Sequence, residues 1–475
     1  EIAQCLVGSE MCIRDSNIRS VKYMLKGMSV AATTLGCKVN QAETDSMLDM
    51  LKAAGANIVE FDEKADIYIV NTCSVTNIAD KKSRQMLHRA RKMNPDGIVI
   101  AAGCYVQSAR EILEQDEAID IVISNNKKKS ITEIVNDYIN VRNNGKNAPG
   151  KDHEAMEYFV DISRETEYEE MGGHVPVGHT RAYVKIQDGC NQFCSYCIIP
   201  YVRGRIRSRS QEAILAEVSE LAEAGIKEVV LTGIHISSYG KDKNNEGALI
   251  ELIEAISKIK GIKRIRLGSL EPGIITEEFV ERISSNSKVC PHFHLSLQSG
   301  CDSVLKRMNR KYTCKQYFEK CDMLRKAYKS PALTTDVIVG FPGETEEEFA
   351  ETVRYLTELN LYEMHIFKYS PRKGTVAAAM KEQVAPEIKN ERSDVLLKLA
   401  HDNKTAYEAQ FEGCELEVLV EEVVKKNNKT YLRGHTERYM DILIDVGDIS
   451  MPESFVNSFV YVTYTQNGGN LPLLL

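Results

Sequence analysis

No stretch of about 18 consecutive apolar residues occurs in the 475-residue chain, which excludes an ordinary membrane-spanning helix. The first residues also lack the continuous apolar core of a secretory signal. The thirteen cysteines therefore read as thiols of a reducing, cytoplasmic compartment rather than as a disulfide framework. Positive charge is not in excess: 60 Lys and Arg face 68 Asp and Glu, for a net charge of −8. That excludes a uniformly basic nucleic-acid coat and leaves room for a local basic surface. No repeat of solenoid type and no low-complexity tract is present. No G-x-G-x-x-G follows the first strand pattern, so dinucleotide binding has no support. With 43% hydrophobic and 27% charged residues the composition is that of a folded globular chain, long enough for about three domains.

The opening stretch EIAQCLVGSEMCIRDS fits no element, and CLVGSEMCIRDS reads as translated adapter sequence. Residues 1–27 are expected to be an artefactual or disordered leader, with Met24 or Met28 as the start and Cys5 and Cys12 irrelevant. Strand-like runs Val30–Leu35, Ile67–Val70, Ile98–Ala102 and Ile119–Ile123 then alternate with helical stretches such as Gln41–Ala54 and Asp80–Met93. This pattern predicts an α/β domain over 28–141 with a mostly parallel sheet. Residues 142–178, with RNNGKNAPGKDHE, read as a linker. A second alternation fills 179–411, with strands at Ala182–Gln187, Glu228–Thr232, Arg264–Gly268, Phe293–Leu297, Leu333–Val339 and Met364–Tyr369. Helices are expected at Gln211–Ala224, Ala248–Lys258, Lys315–Tyr328 and Glu346–Leu359. Six βα units predict a partial (βα)6 barrel with its function at the C-terminal strand ends. Residues 412–475 carry short β-rich runs and predict a small β-barrel.

The strongest chemical signal is Cys190-x3-Cys194-x2-Cys197, three thiols within eight residues just after the first barrel strand. A structural zinc needs four ligands, and no Cys or His follows within the next thirty residues; His235 is the first. A four-iron cluster held by three cysteines keeps one iron open for a small ligand, which favours iron–sulfur over zinc or unligated thiols. A second set, Cys37, Cys73 and Cys104, lies 36 and 31 residues apart, each at or just beyond the C-terminal end of a predicted strand. In an open α/β sheet those ends share one edge, so the three can meet. Three separate buried thiols are the alternative. Gly36 and Gly103 stand directly before two of them and permit tight turns.

The C-x3-C-x-aromatic-C motif, with Tyr196 in the aromatic place, resembles that of the radical S-adenosylmethionine (SAM) enzymes. The resemblance implies that SAM chelates the open iron and is cleaved reductively to a 5′-deoxyadenosyl radical. It also implies cofactor contacts from Gly233 in LTGIHISSYG, Ser296 and Gln298 in HLSLQSG, and Asp336 and Gly340 in DVIVGFPGET. A three-cysteine N-terminal domain, this barrel and a small β-module together resemble the radical SAM methylthiotransferases, over about Ser29–Tyr464. In that family the first domain holds a second [4Fe-4S] cluster, and the tail is a TRAM domain that binds RNA. TLGCKVNQAE and NTCSVTNIADKKSRQ are most similar to the branch acting on N6-threonylcarbamoyladenosine at position 37 of tRNA. The branches for isopentenyladenosine, or for an aspartate of a ribosomal protein, are less similar. The resemblance implies two [4Fe-4S] clusters and SAM as cofactors, tRNA as partner, an unidentified electron donor and sulfur source, no membrane, and a monomer. A non-catalytic RNA-binding protein braced by zinc is the reading from another class.

Arg203, Arg205, Arg207 and Arg209 alternate through VRGRIRSRS and would share one face of extended backbone. They are read as RNA contacts, with a solvated strip as the alternative. Lys81, Lys82, Arg84, Arg89, Arg91 and Lys92 spread over several faces of a helix, much of it plain surface. From Gly413 onward nine acidic residues outnumber five basic ones, which weakens an electrostatic role for the tail. Arg433 and Arg438, with His435, Tyr431 and Tyr439, remain candidates for RNA contact there. Cys290, Cys301, Cys314, Cys321 and Cys414 have no metal spacing and are read as incidental thiols; His292 and His294 are assigned to packing.

Overall fold

Continuous apolar runs become the buried strands of parallel sheets, because a strand covered by helices on both faces has no polar side. The computed structural model describes residues 25–143, 158–173, 180–426, 429–447, 451–466 and 471–472. The expectations for Cys5, Cys12 and Met24, and for much of the linker 142–178, lie outside them. The chain divides into two compact units: Glu1–His174 with Asp188–Asn191 and Ile198–Arg207, and Val175–Gln187 with Gln192–Cys197 and Ser208–Leu475.

The first unit contains β1 (Ser29–Thr34), α1 (Lys38–Ala53), β2 (Asn57–Ile58), β3 (Ile67–Thr72), α2 (Asn77–Met93), β4 (Ile98–Gly103), α3 (Cys104–Ser108), β5 (Ile121–Ile123) and α4 (Ile131–Asn143), joined by α5 (Ile199–Arg203). The five strands form one parallel sheet in the order β2-β1-β3-β4-β5. Alternate residues feed two cores. Val30, Ile67, Ile69, Ile98 and Ile100 pack with Met47 and Leu51 of α1 and Ile134 of α4. Ala31, Tyr68, Val70, Val99 and Ala101 pack with Leu87 and Ala90 of α2. The two-residue β2 has no sequence signature, since both its residues are exposed.

In the second unit, β6 (Arg181–Asp188, whose last residue belongs to the first unit), α6 (Gln211–Glu223), β7 (Glu228–Gly233), α7 (Ala248–Ser257), β8 (Arg264–Leu267), α8 (Glu277–Ser284), β9 (His292–His294), α9 (Asp302–Arg307), α10 (Cys314–Ala327), β10 (Ala332–Val339), α11 (Glu346–Leu359) and β11 (Glu363–Lys368) follow in order. β6, β7 and β8 pair in parallel, as do β9, β10 and β11. Single parallel bridges, Ile265 to Val289 and Leu270 to Leu295, connect the two triplets into a six-strand partial barrel. Leu333, Val337 and Val339 of β10 pack outward on Tyr317, Leu324, Phe349 and Leu356 of the helices. Reciprocal caps start two of these helices: Thr313 with Gln316, and Thr345 with Glu348.

A helix without a sequence expectation, α12 (Pro386–Ala409), follows the barrel; its buried residues are only Arg392, Ser393, Leu396 and Asn403, too thin a stripe to read by period. The tail is an antiparallel five-stranded sheet of β12 (Glu415–Lys426), β13 (Lys429–Thr436), β14 (Asp441–Asp445), β15 (Phe459–Thr463) and β16 (Leu471–Pro472), ordered β14-β13-β12-β15-β16. It docks on the N-terminal ends of barrel strands. Arg264 donates to the carbonyls of His435 and Glu417, both at 3.0 Å, and Arg266 to that of Glu437 at 2.9 Å. Arg266 also pairs with Glu228 at 2.7 Å, and both are almost fully buried.

Candidate functional site

In the first unit, Cys37 precedes α1, Cys73 follows β3 directly, and Cys104 opens α3 directly after β4. The parallel strand ends bring them to one edge. Gly36 has φ +106°, and a Cβ there would lie 2.8 Å from the Sγ of Cys73, so the turn before Cys37 sits against that thiol and only glycine fits. Burial pushes the Cys73 thiol up to about 11, with Cys104 and Cys37 adding to the shift. Cys37 is also raised, again chiefly by burial and in part by Cys104. Cys73 thus stands within electrostatic reach of Cys104 and Cys37, and Cys37 within that of Cys104.

Arg203 lies beside them. Its side chain is fully buried, and its Nε donates to Cys104 Sγ at 3.2 Å. Its other nitrogens reach Asp188 Oδ2 at 3.1 Å, both oxygens of Glu43, and Asn40 Oδ1. Lys128, itself buried, pairs with Glu43. Asn40 is fixed in turn, its amide donating to the carbonyls of Leu35 at 2.8 Å and Thr72 at 2.9 Å. Two strand ends and the first turn of α1 are thereby stitched together around the thiols.

The arginine strip is overturned. Residues 199–203 are helical, and Gly204 with φ +71° turns the chain, so the four side chains share no extended face. Arg207, 1% exposed, donates to the carbonyls of Arg203 at 2.9 Å and Arg205 at 3.1 Å. Arg209, in the second unit, is buried against Glu217. Buried, ion-paired guanidinium groups offer nothing to a phosphate; of the four only Arg205 is exposed. In the tail, Arg438 donates to the carbonyls of Ser330 and Lys329, both at 3.0 Å, and serves docking instead of RNA. Arg433 is half-exposed but held by Asp441 at 2.8 Å and Glu422 at 3.2 Å. Tyr439 stacks on His435 with centroids 4.5 Å apart and lies under Arg266 and Arg181. On α2, Arg89 and Arg91 are paired with Asp62 and Asp120, while Lys81, Lys82 and Lys92 are exposed.

The motif loop enters through Gly189, φ +72°, where a Cβ would fall 1.8 Å from the Arg205 carbonyl; Cys190 N then donates to Gly204 O at 3.0 Å. Within the second unit the rest of the loop is held from below. Ser195 donates from N to Met308 O at 3.0 Å and from Oγ to Arg307 O at 2.8 Å, and Asn309 Nδ2 donates to Phe193 O at 2.9 Å. Tyr196 packs against Met308 and Phe341.

Arg310 is a residue that sequence reasoning missed. Its Nη1 donates to Cys194 Sγ at 3.2 Å, its Nη2 to Ser296 O at 3.1 Å and to Glu271, and its Nε to Tyr312 Oη at 2.8 Å. Burial opposes its charge, but Tyr196, Tyr312, Glu271 and Cys194 more than offset that and raise its pKa. The sequence offers His235 only as a zinc ligand. Its Nδ1 meets Ser238 Oγ at 2.6 Å, while its buried Nε2 has no hydrogen-bond partner and stands 3.9 Å from Glu271. Burial, then Arg310 and Lys241, lower its pKa to about 4, so the ring is neutral at pH 7. Gly233 sits against Gln187, whose Oε1 accepts from His235 N at 2.7 Å.

The expected cofactor residues do not all converge. Tyr196 and Ser296 gather around Arg310. Gln298 holds a left-handed φ of +76°, fixed by pairing with Asp336 O and Ile338 N at 2.9 Å each, a strained backbone of the kind found at ligand sites. Gly340 donates to Glu344 at 2.6 Å. Asp336 lies farther down β10, facing His294 at 3.4 Å. No disulfide joins the eleven described cysteines, and Cys290, Cys301 and Cys321 are buried. No helix among the described residues is long and apolar enough to cross a membrane.

The Radical SAM superfamily model matches residues 184–356, and the model of Uncharacterized protein family UPF0004 matches 29–124. The threonylcarbamoyladenosine tRNA methylthiotransferase MtaB of Bacillus subtilis is 39% identical, over 87% of this chain and 90% of its own. Its namesake from Aquifex aeolicus is 37% identical over 87% and 98%. The tRNA-2-methylthio-N(6)-dimethylallyladenosine synthase of Thermoanaerobacter pseudethanolicus is 35% identical over 91% and 90%. Among solved structures, the radical S-adenosylmethionine methyltransferase TsrM of Kitasatospora setae aligns with a TM-score of 0.54 at 14% identity, over 74% of this chain and 77% of that one, a likeness of fold. Two matched domains in this order, and relatives similar along nearly their whole length, place the chain in the radical SAM methylthiotransferase family.

Proposed function

We propose that this enzyme methylthiolates C2 of N6-threonylcarbamoyladenosine at position 37 of tRNA, giving the 2-methylthio derivative. The observation that carries the reading is its 39% and 37% identity to two relatives named for that nucleoside, with both cysteine sets in place. Cys190, Cys194 and Cys197 would hold the SAM-binding [4Fe-4S] cluster, and Cys37, Cys73 and Cys104 a second one. The donor sets fit: each has three cysteines outside any disulfide and a buried arginine directed at one sulfur. Three thiolates leave an iron of each cluster open. When bound, the first cluster and SAM supply a carbon radical strong enough for an unactivated C–H bond, and the second holds the sulfur.

The chain's own residues orient and enclose. Arg310 compensates thiolate charge at Cys194 and fixes the Ser296 carbonyl. His235, neutral and with a spare buried Nε2, offers a polar contact beside Gly233 without adding positive charge. Arg203 does for Cys104 what Arg310 does for Cys194. An external reductant and sulfur source complete the reaction, and Arg205 remains exposed for RNA contact.

The test is anaerobic incubation of cluster-loaded protein with SAM, dithionite, sulfide and tRNA carrying either adenosine derivative, followed by nucleoside mass spectrometry. A methylthio group on threonylcarbamoyladenosine is expected. Its appearance on isopentenyladenosine alone would keep the chemistry and reject the substrate.

A further inference from the structure

Three adjacent strands of the second unit present His294, Asp336 and His365 to one another. Asp336 and His365 are register partners across β10 and β11. His294 pairs with Thr334, two residues before Asp336 and on the same face of β10. The opposite face carries Leu333, Val337 and Val339 onto the helices, so the three side chains point to the inner face of the sheet. One ligand atom from each lies within 4.8 Å of the other two.

The orientation of His294 is particular. Its Nδ1 is held by Thr334 Oγ1 at 3.0 Å. Its buried Nε2 faces the Asp336 carboxylate at 3.4 Å and makes no hydrogen bond. A ring fixed through one nitrogen while the other is aimed inward is the arrangement of a metal-ligating histidine. The His365 ring lies nearly parallel to that of His294, 22° apart with centroids at 5.9 Å, which leaves space between them. Two imidazoles and one carboxylate on neighbouring rigid elements match the ligand set of mononuclear ferrous and zinc centres.

We propose that His294, Asp336 and His365 bind one divalent first-row transition ion on the inner face of the barrel. Side-chain exposure rises from 13% at His294 to 31% at Asp336, and His365 is exposed. The remaining coordination positions therefore open to the interior. With a single carboxylate among its ligands, the bound ion keeps net positive charge and takes oxygen ligands there, water or an anionic group.

The experiment uses the full chain with both clusters loaded and oxidised, so that they are diamagnetic, and adds Co2+ as the probe. Electron paramagnetic resonance should reveal one saturable high-spin Co2+ per chain with nitrogen and oxygen ligation. His365→Ala and Asp336→Asn should each weaken that binding at least tenfold while the iron content stays at the wild-type value. His365 is exposed, so its removal does not threaten folding. No saturable signal in the wild type, a sulfur-ligated signal, or wild-type affinity retained in either variant would overturn the assignment.

Discussion

Arg203 donates from Nε to the Sγ of Cys104 at 3.2 Å, from a position with no solvent exposure. The same guanidinium neutralises Glu43 and reaches Asp188, so one side chain serves a thiol and two buried carboxylates. Replacing it with methionine keeps the bulk and removes the charge. Breaking a buried ion pair usually costs about 3–5 kcal/mol because a charge is left uncompensated. Lys128 still serves Glu43 and Arg207 still stands 3.8 Å from Asp188, so the cost for Arg203→Met should be about 3 kcal/mol. Calorimetric unfolding measures it, and a loss below about 1 kcal/mol would mean that the network is not what holds this edge together.

Arg310 and Cys194 have the matching relationship, also at 3.2 Å. A hydrogen bond and a positive charge at a cluster sulfur stabilise the reduced, more negative state. Arg310→Met should therefore lower the midpoint potential of the SAM-binding cluster, and Arg310→Lys should recover part of the difference. A redox titration followed by electron paramagnetic resonance reads the potential directly. A methionine variant with unchanged iron content and an unshifted midpoint would refute the coupling.

What the sequence disclosed, and what it hid, follows from distance along the chain. Barrel strands such as β7 were legible because buried parallel strands carry apolar runs, as in Val229–Leu231. That Cys37, Cys73 and Cys104 stand along one sheet edge was legible because a parallel sheet aligns its C-terminal ends. The arginines were misread because alternation assumes extended backbone, whereas Ile199–Arg203 is a helix. Their partners are also remote: Glu43 lies 160 residues before Arg203. Arg310 carries no spacing signal, since nothing in MNRKYT marks it as the neighbour of Cys194 116 residues earlier.

Acid should weaken one barrel contact in a defined window. Hydrogen bonds from Arg307, at 2.6 Å and 2.8 Å, together with Ser303 and the Thr345 backbone, bring Glu348 from 4.5 down to about 2. A depressed carboxylate pKa contributes stability that is present above pH 4.5 and lost as pH falls toward 2. Solvent screening at this partly exposed pair limits the contribution to roughly 1–2 kcal/mol. Glu348→Gln should be less stable than the wild type at pH 7, and the difference should vanish near pH 2. Urea midpoints measured across that range test it, and a constant difference at every pH would show that the pair contributes nothing through its charge.

The two cysteine sets separate the two halves of the proposed reaction, and single substitutions can divide them. Cys194 lies in the motif loop and accepts from Arg310, so Cys194→Ala should abolish reductive SAM cleavage and, with it, thiolation. Cys73 lies beside Gly36, at the end of β3, in the other unit. Cys73→Ala should leave SAM cleavage to 5′-deoxyadenosine intact and eliminate the methylthio product, with iron content falling by about half as one four-iron cluster of two is lost. Cys73 is buried, but alanine is smaller and apolar, so the fold should survive with a modest cavity cost. Chromatography of deoxyadenosine and mass spectrometry of the nucleosides read the two outcomes from one reaction. Full thiolation by Cys73→Ala would remove the sulfur-donating role from the first domain, whereas loss of both products would mean that this domain is needed for SAM chemistry as well.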